Sequence, residues 1–541
     1  QLVHDAGDTT IYIIKGTEAS LPATIDSKFV VQSDVAVLKA AFANGEDFKL
    51  SADADITGQS VSVPAGKSVV LDLNGYTLTA DNSATGKIIV LGKMTLKDSS
   101  TEKKGKIVAS QDYTAASYNG SLIEIAGEDA SMTMESGNIS AVRETPDSNG
   151  QYGVGVTDGG DFTMTGGKIE AGWFAVAGNG NYKTQNSIIN ITDGELISTA
   201  DYAVYLPQSG TTTISGGKVY GAAGGVCIQR GTLNVEGTAL ITSKGTGSTG
   251  NWGDGTGGLD CAAINVSGAY GIATVNIKGG TLIAEAKSLI TEGTTYTPVI
   301  NVTGGTFSDP SVLKYMATNA TVDIKLLSNI NIAKTELATG YILNAANATA
   351  NLNLNGHDII NSSETADATP FTQIFTVQNG TLNISGNGNV KCDASATAKD
   401  DGYRMVIEAR GHGTVNIHGG SYYNTQKLNT QIDLIYAREN GKINIYGGTF
   451  ESGKYGTPNN DTDGRYWVLN LKNTDKNTAS IQVSGGTFIN FNPANPNMDD
   501  NESYLVTGYE VTRDGSVYTA AHKVNDGRKE YIVGPTSQEN R

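Results

Sequence analysis

Apolar and polar residues alternate with a period of two along most of this chain. The pattern is clearest at residues 414–423, where Val415 and Ile417 alternate with Asn416 and His418. Such alternation predicts a β-strand with one buried face. A Gly-Gly pair follows the strand, and glycine accepts the positive φ that turns the backbone. One strand and its turn cannot bury the apolar face alone, so the unit needs neighbours like itself.

The same unit recurs along the chain at intervals of roughly 20 to 45 residues, a spacing that indicates a solenoid or a propeller. The intervals vary too much for propeller blades of fixed size. A second strand usually lies between copies, so each repeat has two or three short strands and loops of unequal length. The clearest copies begin at Met94, Met132, Phe162, Ile189, Thr213, Leu233, Val275, Ile300, Leu382, Lys442 and Ile481.

This layout predicts an all-β fold, a right-handed parallel β-helix in which each strand pairs with its counterpart one coil later, about 4.8 Å away. Val, Ile, Leu and Phe stack inward, while Thr, Asn, Lys and Ser face water. Residues 35–42 carry a helical apolar pattern, and a helix there would cap the open first coil. Residues 503–519 predict a C-terminal β-hairpin that turns at Asp514 and Gly515 and covers the last coil.

The repeat series starts twice, which predicts two tandem modules. Residues 352–359 repeat the pattern of residues 71–78. The modules either stack as one rod or meet at an angle near residues 309–321. The predicted divisions are an N-terminal adaptor or attachment segment (1–31), a first β-helix module (32–320), a second module (321–500) and the capping hairpin with its tail (501–541).

Composition and charge narrow the range of functions. The 541 residues include 67 Gly and 11 Pro, a balance typical of turn-rich β proteins, and carry a formal net charge of −17. A chain this acidic, without a basic run, is repelled by phosphate backbones, which argues against a nucleic-acid partner. No apolar run has the length to span a membrane. The chain starts at Gln1, so we expect processing of a longer precursor; removal of a secretory signal, truncation and phage-type maturation would all give this start.

The three cysteines lie far apart in the sequence and lack metal-ligand spacing. Cys227 and Cys392 fall within strand patterns, where a thiol is usually a small core hydrophobe. The alternative is a disulfide between Cys227 and Cys261.

The chain resembles the pectate-lyase-like right-handed β-helix repeat proteins. The resemblance rests on Leu-Asp-Leu-Asn-Gly-Tyr-Thr-Leu at residues 71–78, on Gly-Gly-Thr-Phe closures that end at Phe307, Phe450 and Phe488, and on Tyr-Leu-Val-Thr-Gly-Tyr-Glu-Val at residues 504–511. Such proteins occur on the surfaces of gut bacteria, and similar modules occur in head fibres and spikes of phages. The resemblance covers about residues 31–519 and implies the fold. The resemblance is a weak indicator of function, because the fold is shared by lyases, hydrolases and purely structural rods.

Fragments of a polygalacturonase motif set are present in a different arrangement. Those enzymes carry Asn-Thr-Asp, Asp-Asp and Gly-His-Gly in that order, whereas here Asp-Asp at residues 400–401 comes first and Asn-Thr-Asp at residues 473–475 comes last. The interval between Asp401 and His412 is too short for an extra coil, and Asp-Asp-Gly is typical of a turn. We therefore predict no catalytic residue.

No metal site or cofactor is predicted. Residues 459–464 begin like a calcium loop, but Asn470 stands where a bidentate Glu belongs. His357, His412 and His418 are isolated in outward or turn positions. In sister repeats, the position of His418 is held by Lys278, Thr303, Tyr446 and Ser484. We therefore expect His418 to be an outward-facing residue of the scaffold.

Long loops interrupt the even coils at residues 143–152, 173–184, 244–260 and 454–467. Aromatic faces stack on sugar rings, while nearby Asn and Asp bind the hydroxyls. The candidate ligand-binding residues in or beside these loops are Trp252, Tyr455, Tyr466 and Trp467. The alternative is that each ring covers a core edge beneath its loop.

These features together predict a non-enzymatic, structural and adhesive β-helix protein on a bacterial cell surface or a phage virion. The expected ligand is a surface polysaccharide or glycoprotein, and the N-terminal segment is expected to contact cell-envelope or virion proteins. The alternative is a polysaccharide-degrading enzyme of tailspike or polygalacturonase type. The sequence leaves open whether the protein is bacterial or phage-borne, and whether it trimerises as many spikes do.

Overall fold

The computed structural model describes residues 2–5, 11–13, 29–32, 34–81, 86–110, 120–142, 151–179, 184–249, 258–292, 295–332, 340–361, 371–392, 403–424, 432–452, 466–496 and 502–523. The chain forms two compact units, Gln1–Tyr315 and Met316–Arg541. The division falls within residues 309–321, where the repeat series restarts.

The described part of the first unit consists, in chain order, of β1 (Leu2–Asp5), β2 (Ile11–Ile13), β3 (Phe29–Gln32), α1 (Asp34–Asn44), β4 (Phe48–Lys49), β5 (Ala54–Asp55), β6 (Val61–Val63), β7 (Ser68–Asp72), β8 (Thr77–Ala80), β9 (Ile88–Val90), β10 (Lys93–Lys97), β11 (Lys106–Ala109), β12 (Gly120–Ala126), β13 (Ser131–Met134), β14 (Asn138–Ala141), β15 (Gln151–Thr157), β16 (Asp161–Met164), β17 (Lys168–Ala171), β18 (Val176–Ala177), β19 (Ser187–Ile191), β20 (Glu195–Ser198), β21 (Tyr202–Leu206), β22 (Gly210–Ile214), β23 (Lys218–Gly221), β24 (Gly224–Ile228), β25 (Gly231–Val235), β26 (Leu240–Ser243), β27 (Ala262–Val266), β28 (Ala273–Ile277), β29 (Thr281–Ala284), β30 (Lys287–Thr291), β31 (Val299–Val302), β32 (Thr306–Phe307) and the 3-10 helix η1 (Pro310–Tyr315).

From β4 onward, every third strand of the first unit belongs to the same sheet, and neighbouring strands are parallel. Sheet A runs from β4 through β7 and β10 to β31, and sheet C runs from β6 through β9 and β12 to β30. Sheet B runs from β5 through β8 and β11 to β32. Corresponding residues pair in register, as Met132, Phe162 and Ile189 do on β13, β16 and β19. The predicted parallel β-helix is therefore confirmed.

Burial follows the alternation that the sequence shows, except in sheet C. Strands of sheets A and B bury every second residue, as in Lys168–Ala171, where Ile169 and Ala171 are fully buried. In sheet C, β21, β24 and β27 are buried at every position. Both faces of these three strands are therefore covered, so their side chains outside the core are also shielded from water.

The predicted N-terminal helix is confirmed as α1, which packs against β4, β5 and β6 of the first coil. Leu38 and Phe42 are its most deeply buried side chains. Ahead of it, β1, β2 and β3 form an antiparallel sheet in the order β2-β1-β3. Whether these strands attach the protein to another component stays a prediction.

The described part of the second unit consists, in chain order, of β33 (Thr321–Lys325), β34 (Ile330–Asn331), β35 (Tyr341–Asn353), β36 (Ile359–Asn361), β37 (Phe371–Ser385), β38 (Asn389–Cys392), β39 (Tyr403–Ile417), β40 (Ser421–Asn424), β41 (Ile432–Ala437), β42 (Lys442–Ile445), β43 (Thr449–Ser452), β44 (Tyr466–Leu471), the 3-10 helix η2 (Asn473–Asp475), β45 (Ser480–Val483), β46 (Thr487–Ile489), β47 (Tyr509–Asp514) and β48 (Val517–His522).

The second unit also coils with parallel strands, but its longest strands serve two sides of the coil. The first half of β39 pairs with β41, and its second half pairs with β42. Register shifts within β35, β37 and β39 mark the place where each long strand turns the corner. The remaining side is a sheet of β34, β36, β38, β40, β43 and β46, which the hairpin β47–β48 extends.

The predicted C-terminal hairpin is confirmed, with its turn one residue later than expected. Asp514 pairs with Val517, so the turn consists of Gly515 and Ser516 rather than of Asp514 and Gly515. Strand β48 pairs antiparallel with β46. Just before the hairpin, Leu505 forms a bridge to Val483 of β45, so this segment and the hairpin together pair with exposed strand edges at the end of the coil.

Each residue of a Gly-Gly turn has its own physical reason. The second glycine takes positive φ, with φ 101° at Gly448 and 102° at Gly486. The first glycine gives room for the previous coil, because a Cβ on Gly447 would lie 2.7 Å from the carbonyl oxygen of His418. The sequence pattern predicts the positive φ of the second glycine, but not the close approach of the previous coil to the first.

Side chains of similar type stack between coils on both faces of the second unit. Inside, the Phe450 ring lies 5.1 Å from that of Tyr422 and 5.0 Å from that of Phe488. Outside, the amide of Asn416 donates to Asn383 at 2.8 Å, and the amide of Asn444 donates to Asn416 at 2.8 Å. Such ladders are a recurrent consequence of in-register parallel pairing.

Buried carboxylates accept backbone hydrogen bonds at the corners of the first coils and so stabilise those corners. Asp98 is 1% exposed, and its carboxylate accepts hydrogen bonds from the backbone N–H groups of Gly75 (2.9 Å), Ser100 (3.0 Å) and Gly105 (2.6 Å). Burial by itself would raise the pKa of Asp98, but these hydrogen bonds outweigh it and lower the pKa. The charged form therefore stabilises the folded state.

All three cysteines, Cys227, Cys261 and Cys392, are buried, and none of them forms a disulfide. The core interpretation of Cys227 and Cys392 is therefore confirmed, and the alternative disulfide between Cys227 and Cys261 is not formed.

Replacing Phe450 by Ala should lower the free energy of unfolding by about 3–5 kcal/mol, because it removes a fully buried ring from the stack and leaves a cavity. Urea denaturation measures this loss. Tyr446→Ala is the matched control, since Tyr446 lies in the same coil but is 50% exposed, and it should cost less than about 1 kcal/mol. Equal losses in the two variants would contradict the inward stack.

Replacing Asp98 by Asn should cost about 2 kcal/mol at neutral pH, because three backbone N–H groups, that of Gly105 buried, lose a charged acceptor. The pKa of Asp98 is lower in the folded state than in the unfolded chain. Its stabilisation is therefore complete above about pH 4 and is lost as the pH falls through the folded-state pKa. Denaturation at several pH values should show the wild type approaching Asp98→Asn in acid, with exposed Asp129→Asn as the control. A pH-independent difference would refute this role of the charge.

Candidate functional site

The structure places the side chain of one of the four predicted ligand-binding residues. Trp252 and Tyr455 lie outside the described residues. Tyr466 begins β44, but its side chain lies outside the description. Trp467 is half-buried on β44 and pairs in register with Asp433 of β41. Trp467 therefore lies beside Asp433 and the polar residues around it.

A partly buried ion pair lies near Trp467, with Arg438 directly after β41 and Glu408 one strand farther away on β39. The side chain of Glu408, on β39, is 2% exposed, and its Oε1 lies 2.6 Å from Nε of Arg438. A second guanidinium is close, since Nε of Arg410 lies 3.9 Å from Oε2 of Glu408. In the strand register, Thr376, Glu408, Tyr436 and Asn470 form one row. A charged group thus occupies a row that other coils fill with neutral residues.

Asp433 is a second buried carboxylate in the same region. It is 2% exposed, and its Oδ1 accepts a hydrogen bond of 2.8 Å from the amide of Asn470. Burial, and then the negative charge of Asp433, raise the pKa of Tyr436 to about 12. Tyr436 is therefore a neutral phenol that can donate or accept a hydrogen bond.

These six residues are named the acid–aromatic cluster: Glu408, Asp433, Tyr436, Arg438, Trp467 and Asn470. It combines fixed carboxylates, a guanidinium, a phenol and an indole within one sheet of the second unit. Fixed polar groups beside an aromatic ring are the chemistry by which proteins hold hydroxyl-rich ligands.

Sequence reasoning missed Glu408 and Asp433. The available signal was the alignment of residues 405–410, 433–438 and 467–472, in which a polar residue interrupts an otherwise apolar strand. Glu and Asp are almost never buried unless they are paired. A carboxylate within such a strand therefore indicated a partner on an adjacent coil.

The polygalacturonase-like fragments do not form a catalytic arrangement in the described residues. Asp400 and Asp401 lie outside them. Asp475 belongs to η2, and its Oδ2 accepts a hydrogen bond of 2.6 Å from the backbone N–H of Glu439. That hydrogen bond lowers the pKa of Asp475. Glu439 in turn accepts from the N–H of Gly411 at 3.1 Å, so Asp475 joins the corners of successive coils.

The suggested calcium loop at residues 459–464 lies outside the described residues. Asn470, where a calcium ligand would be needed, instead donates its amide to Asp433. Within the described ranges, no group of three or more His, Cys, Asp and Glu side chains is arranged to hold a metal ion.

The prediction that His418 is a scaffold residue is supported by the strand register. Residues of β39, β42 and β45 pair so that His418, Tyr446 and Ser484 follow equivalent strand ends. The imidazole stacks on the ring of Tyr446 at 4.7 Å. His418 thus continues an outer ladder.

In the first unit, the aromatic side chains next to the predicted loops cover the outer face of sheet C. Trp173 is 3% exposed and packs with Phe174, whose ring stacks on Tyr205 at 4.8 Å. Leu259, from the base of the loop at residues 244–260, packs against this cluster. Trp173 therefore covers an edge of the core and does not face solvent.

A pair of neighbouring carboxyl groups lies at the base of the same loop. Oε2 of Glu292 accepts hydrogen bonds from the amide of Asn265 (2.6 Å) and the N–H of Asp260 (2.8 Å). Burial raises the pKa of Glu292, and the charge of Asp260 raises it further. Glu292 thus holds its proton more tightly than an ordinary glutamate.

Comparisons with known proteins assign no family. No protein-family model matches the sequence, and a search of the curated proteins found no matching relative. Among the residues that the structure describes, no helix is long and apolar enough to cross a membrane.

Replacing Arg438 by Met should destabilise the protein by about 3–5 kcal/mol at neutral pH, because Glu408 would remain buried without its close cation. Chemical denaturation at pH 7 measures this loss. Arg410→Met is the matched control, since Arg410 lies farther from Glu408, and it should cost less than about 1 kcal/mol. Equal losses for both variants would rule out a specific Glu408–Arg438 pair.

Proposed function

We propose that this protein is a non-enzymatic, structural and adhesive β-helix protein that binds glycans on the outside of its coils. On this proposal it is displayed on a bacterial cell surface or a phage virion, as the resemblance to β-helix repeat proteins suggests. The two coiled units provide a stiff support, because each coil is bonded to its neighbours along every sheet.

One observation carries the glycan-binding part of the proposal, the acid–aromatic cluster. Trp467 adjoins Asp433 in the strand register, and Glu408 and Arg438 hold each other close by. Such groups are ordered before a ligand arrives, so binding loses little side-chain entropy. An indole supplies apolar area for a sugar ring, and the half-buried Tyr436 and Arg438 supply partners for hydroxyl groups, while the buried Glu408 fixes Arg438.

The burial of the carboxylates in this cluster favours binding over cleavage. Glycoside hydrolysis requires two carboxyl groups that reach the scissile bond. Glu408 and Asp433 are each 2% exposed, and Glu408 is already paired with Arg438 at 2.6 Å. These carboxylates therefore position other side chains of the cluster rather than contact a sugar.

Polysaccharide cleavage is kept as a second candidate function because of Glu292 and Asp260. Their neighbouring carboxyl groups, together with the raised pKa of Glu292, are features of an acid–base pair. This pair lies in the first unit, at the base of the loop that contains Trp252.

Wild-type protein should bind one or more polymers in a panel of host-surface and plant polysaccharides without releasing reducing ends or unsaturated products. Trp467→Ala should weaken binding by about tenfold, because the stacking surface is lost. Calorimetry gives the affinities, and assays for reducing ends and for unsaturated sugars give the turnover. Tyr446→Ala is the control for loss of an exposed aromatic residue elsewhere in the unit, and it should bind like the wild type.

Turnover that disappears in Glu292→Gln would establish the enzymatic alternative at the Glu292–Asp260 pair. Turnover that disappears in Asp401→Asn or His412→Ala would instead support the polygalacturonase-like arrangement. Absence of binding to every polymer tested would overturn the adhesive function.

A further inference from the structure

A small groove lies on the first unit, where strands of sheet C pass into strands of sheet A. It is open to solvent, encloses about 10 Å³, roughly the space of one water molecule, and is lined by residues that include Ser187, Gln208 and Arg230. The groove is separate from the acid–aromatic cluster, which belongs to the second unit. Its lining combines a cation with hydroxyl and amide groups.

Arg230 is held in the groove by neutral partners. Its Nε donates to Oγ of Ser209 at 2.8 Å, and its Nη1 donates to the carbonyl oxygen of Tyr270 at 3.1 Å. Its stem lies against Gly271, where a Cβ would approach Cδ of Arg230 to 2.8 Å. The absence of a side chain at residue 271 therefore allows the guanidinium to lie where it does.

The charge of Arg230 is not neutralised. Within the described part of the chain it forms no ion pair, although the whole chain carries a formal net charge of −17. Other cations of the first unit do pair, as Lys218 does with Glu195 at 2.8 Å. A guanidinium that is partly shielded from water and has no counter-ion attracts an anion more strongly than an exposed one.

A buried hydroxyl group in the same groove has a proton available for a ligand. Gln208 is 6% exposed, and its amide donates to the carbonyl oxygen of Val156 (3.0 Å) and to Oγ of Ser187 (2.6 Å). Its Oε1 accepts from the N–H of Asn179 at 3.0 Å. Because Ser187 receives the bond from Gln208, its own O–H can donate to another acceptor.

We propose that this groove binds the carboxylate of an acidic sugar. Arg230 pairs with the carboxylate, one oxygen of which occupies the groove, and the O–H of Ser187 donates to the same group, while the sugar ring lies outside the groove. The inference rests on the proposed glycan-binding function and adds the class of sugar that is recognised.

A carboxylate suits this groove better than a phosphate or a sulfate. One guanidinium can bind a planar carboxylate through two parallel hydrogen bonds. A dianion would bring a second negative charge to a protein that is already strongly acidic, with one cation to offset it. A neutral sugar would leave the charge of Arg230 without a partner.

The test is titration of the 541-residue protein with four compounds: glucose and the sodium salts of glucuronate, N-acetylneuraminate and sulfate. Glucuronate and N-acetylneuraminate represent two sources of a sugar carboxylate, and at least one should bind. Binding should weaken as salt is added, and glucose and sulfate should bind at least roughly tenfold more weakly.

Arg230→Gln should lower the affinity for the acidic sugar by roughly tenfold or more, because the charge-assisted pair is lost. Arg513→Gln, which removes an exposed arginine of the second unit, should bind like the wild type. Ser187→Ala and Gly271→Ala keep the charge, and each should weaken binding, the first by loss of the hydroxyl and the second by displacement of the Arg230 stem. If circular dichroism shows that Arg230→Gln does not fold, Ser187→Ala and Gly271→Ala still test the site.

Unchanged binding of the acidic sugar in Arg230→Gln, or in both Ser187→Ala and Gly271→Ala, would overturn this site. Equal binding of sulfate or of glucose would overturn the assignment to a sugar carboxylate. Neutral polysaccharides that depend on Trp467 but not on Arg230 would leave the proposed function standing while this inference fails. If no glycan binds, both fail.

Discussion

In-register parallel pairing between successive coils is the constraint on which the rest of this protein depends. Each residue lies beside its counterpart one coil earlier, so a side chain of one type is repeated as a row along the sheet. Phe450 therefore meets Tyr422 and Phe488, and Asn416 meets Asn383 and Asn444. A slip of one residue would turn the Thr and Asn rows into the core, which fixes the register strongly.

The same constraint explains which glycines are needed. Close coils leave no room for a Cβ at the first glycine of turns such as Gly447–Gly448 and Gly485–Gly486, and the reversal of the backbone requires positive φ at the second. The two requirements come from different parts of the structure, since one is set by the neighbouring coil and the other by the chain itself. Gly271 also has no room for a Cβ, but here the space is taken by the side chain of Arg230 rather than by a neighbouring backbone.

Residues with functional potential are those that depart from their row. Glu408 lies among Thr376, Tyr436 and Asn470, and it is buried at the cost of desolvating a charge. That cost is offset only when a partner of opposite charge is fixed nearby, which Arg438 provides. Arg230 is the reverse case, a partly shielded cation whose partners are all neutral. Regular rows form the scaffold, and irregular positions carry specific chemistry.

The sequence by itself determined the period, the turns, the N-terminal helix and the C-terminal hairpin, because these depend on local alternation and on glycine. It also predicted correctly that His418 belongs to an outer row and that Cys227 and Cys392 are core residues. Only the tertiary structure placed Trp467 beside Asp433, Arg438 against Glu408, and Arg230 over Gly271. The physical reason is that loops of unequal length separate the repeats, so residue spacing along the chain does not fix which side chains of adjacent coils meet. Those contacts, and the burial that gives them their strength, are set when the coils stack.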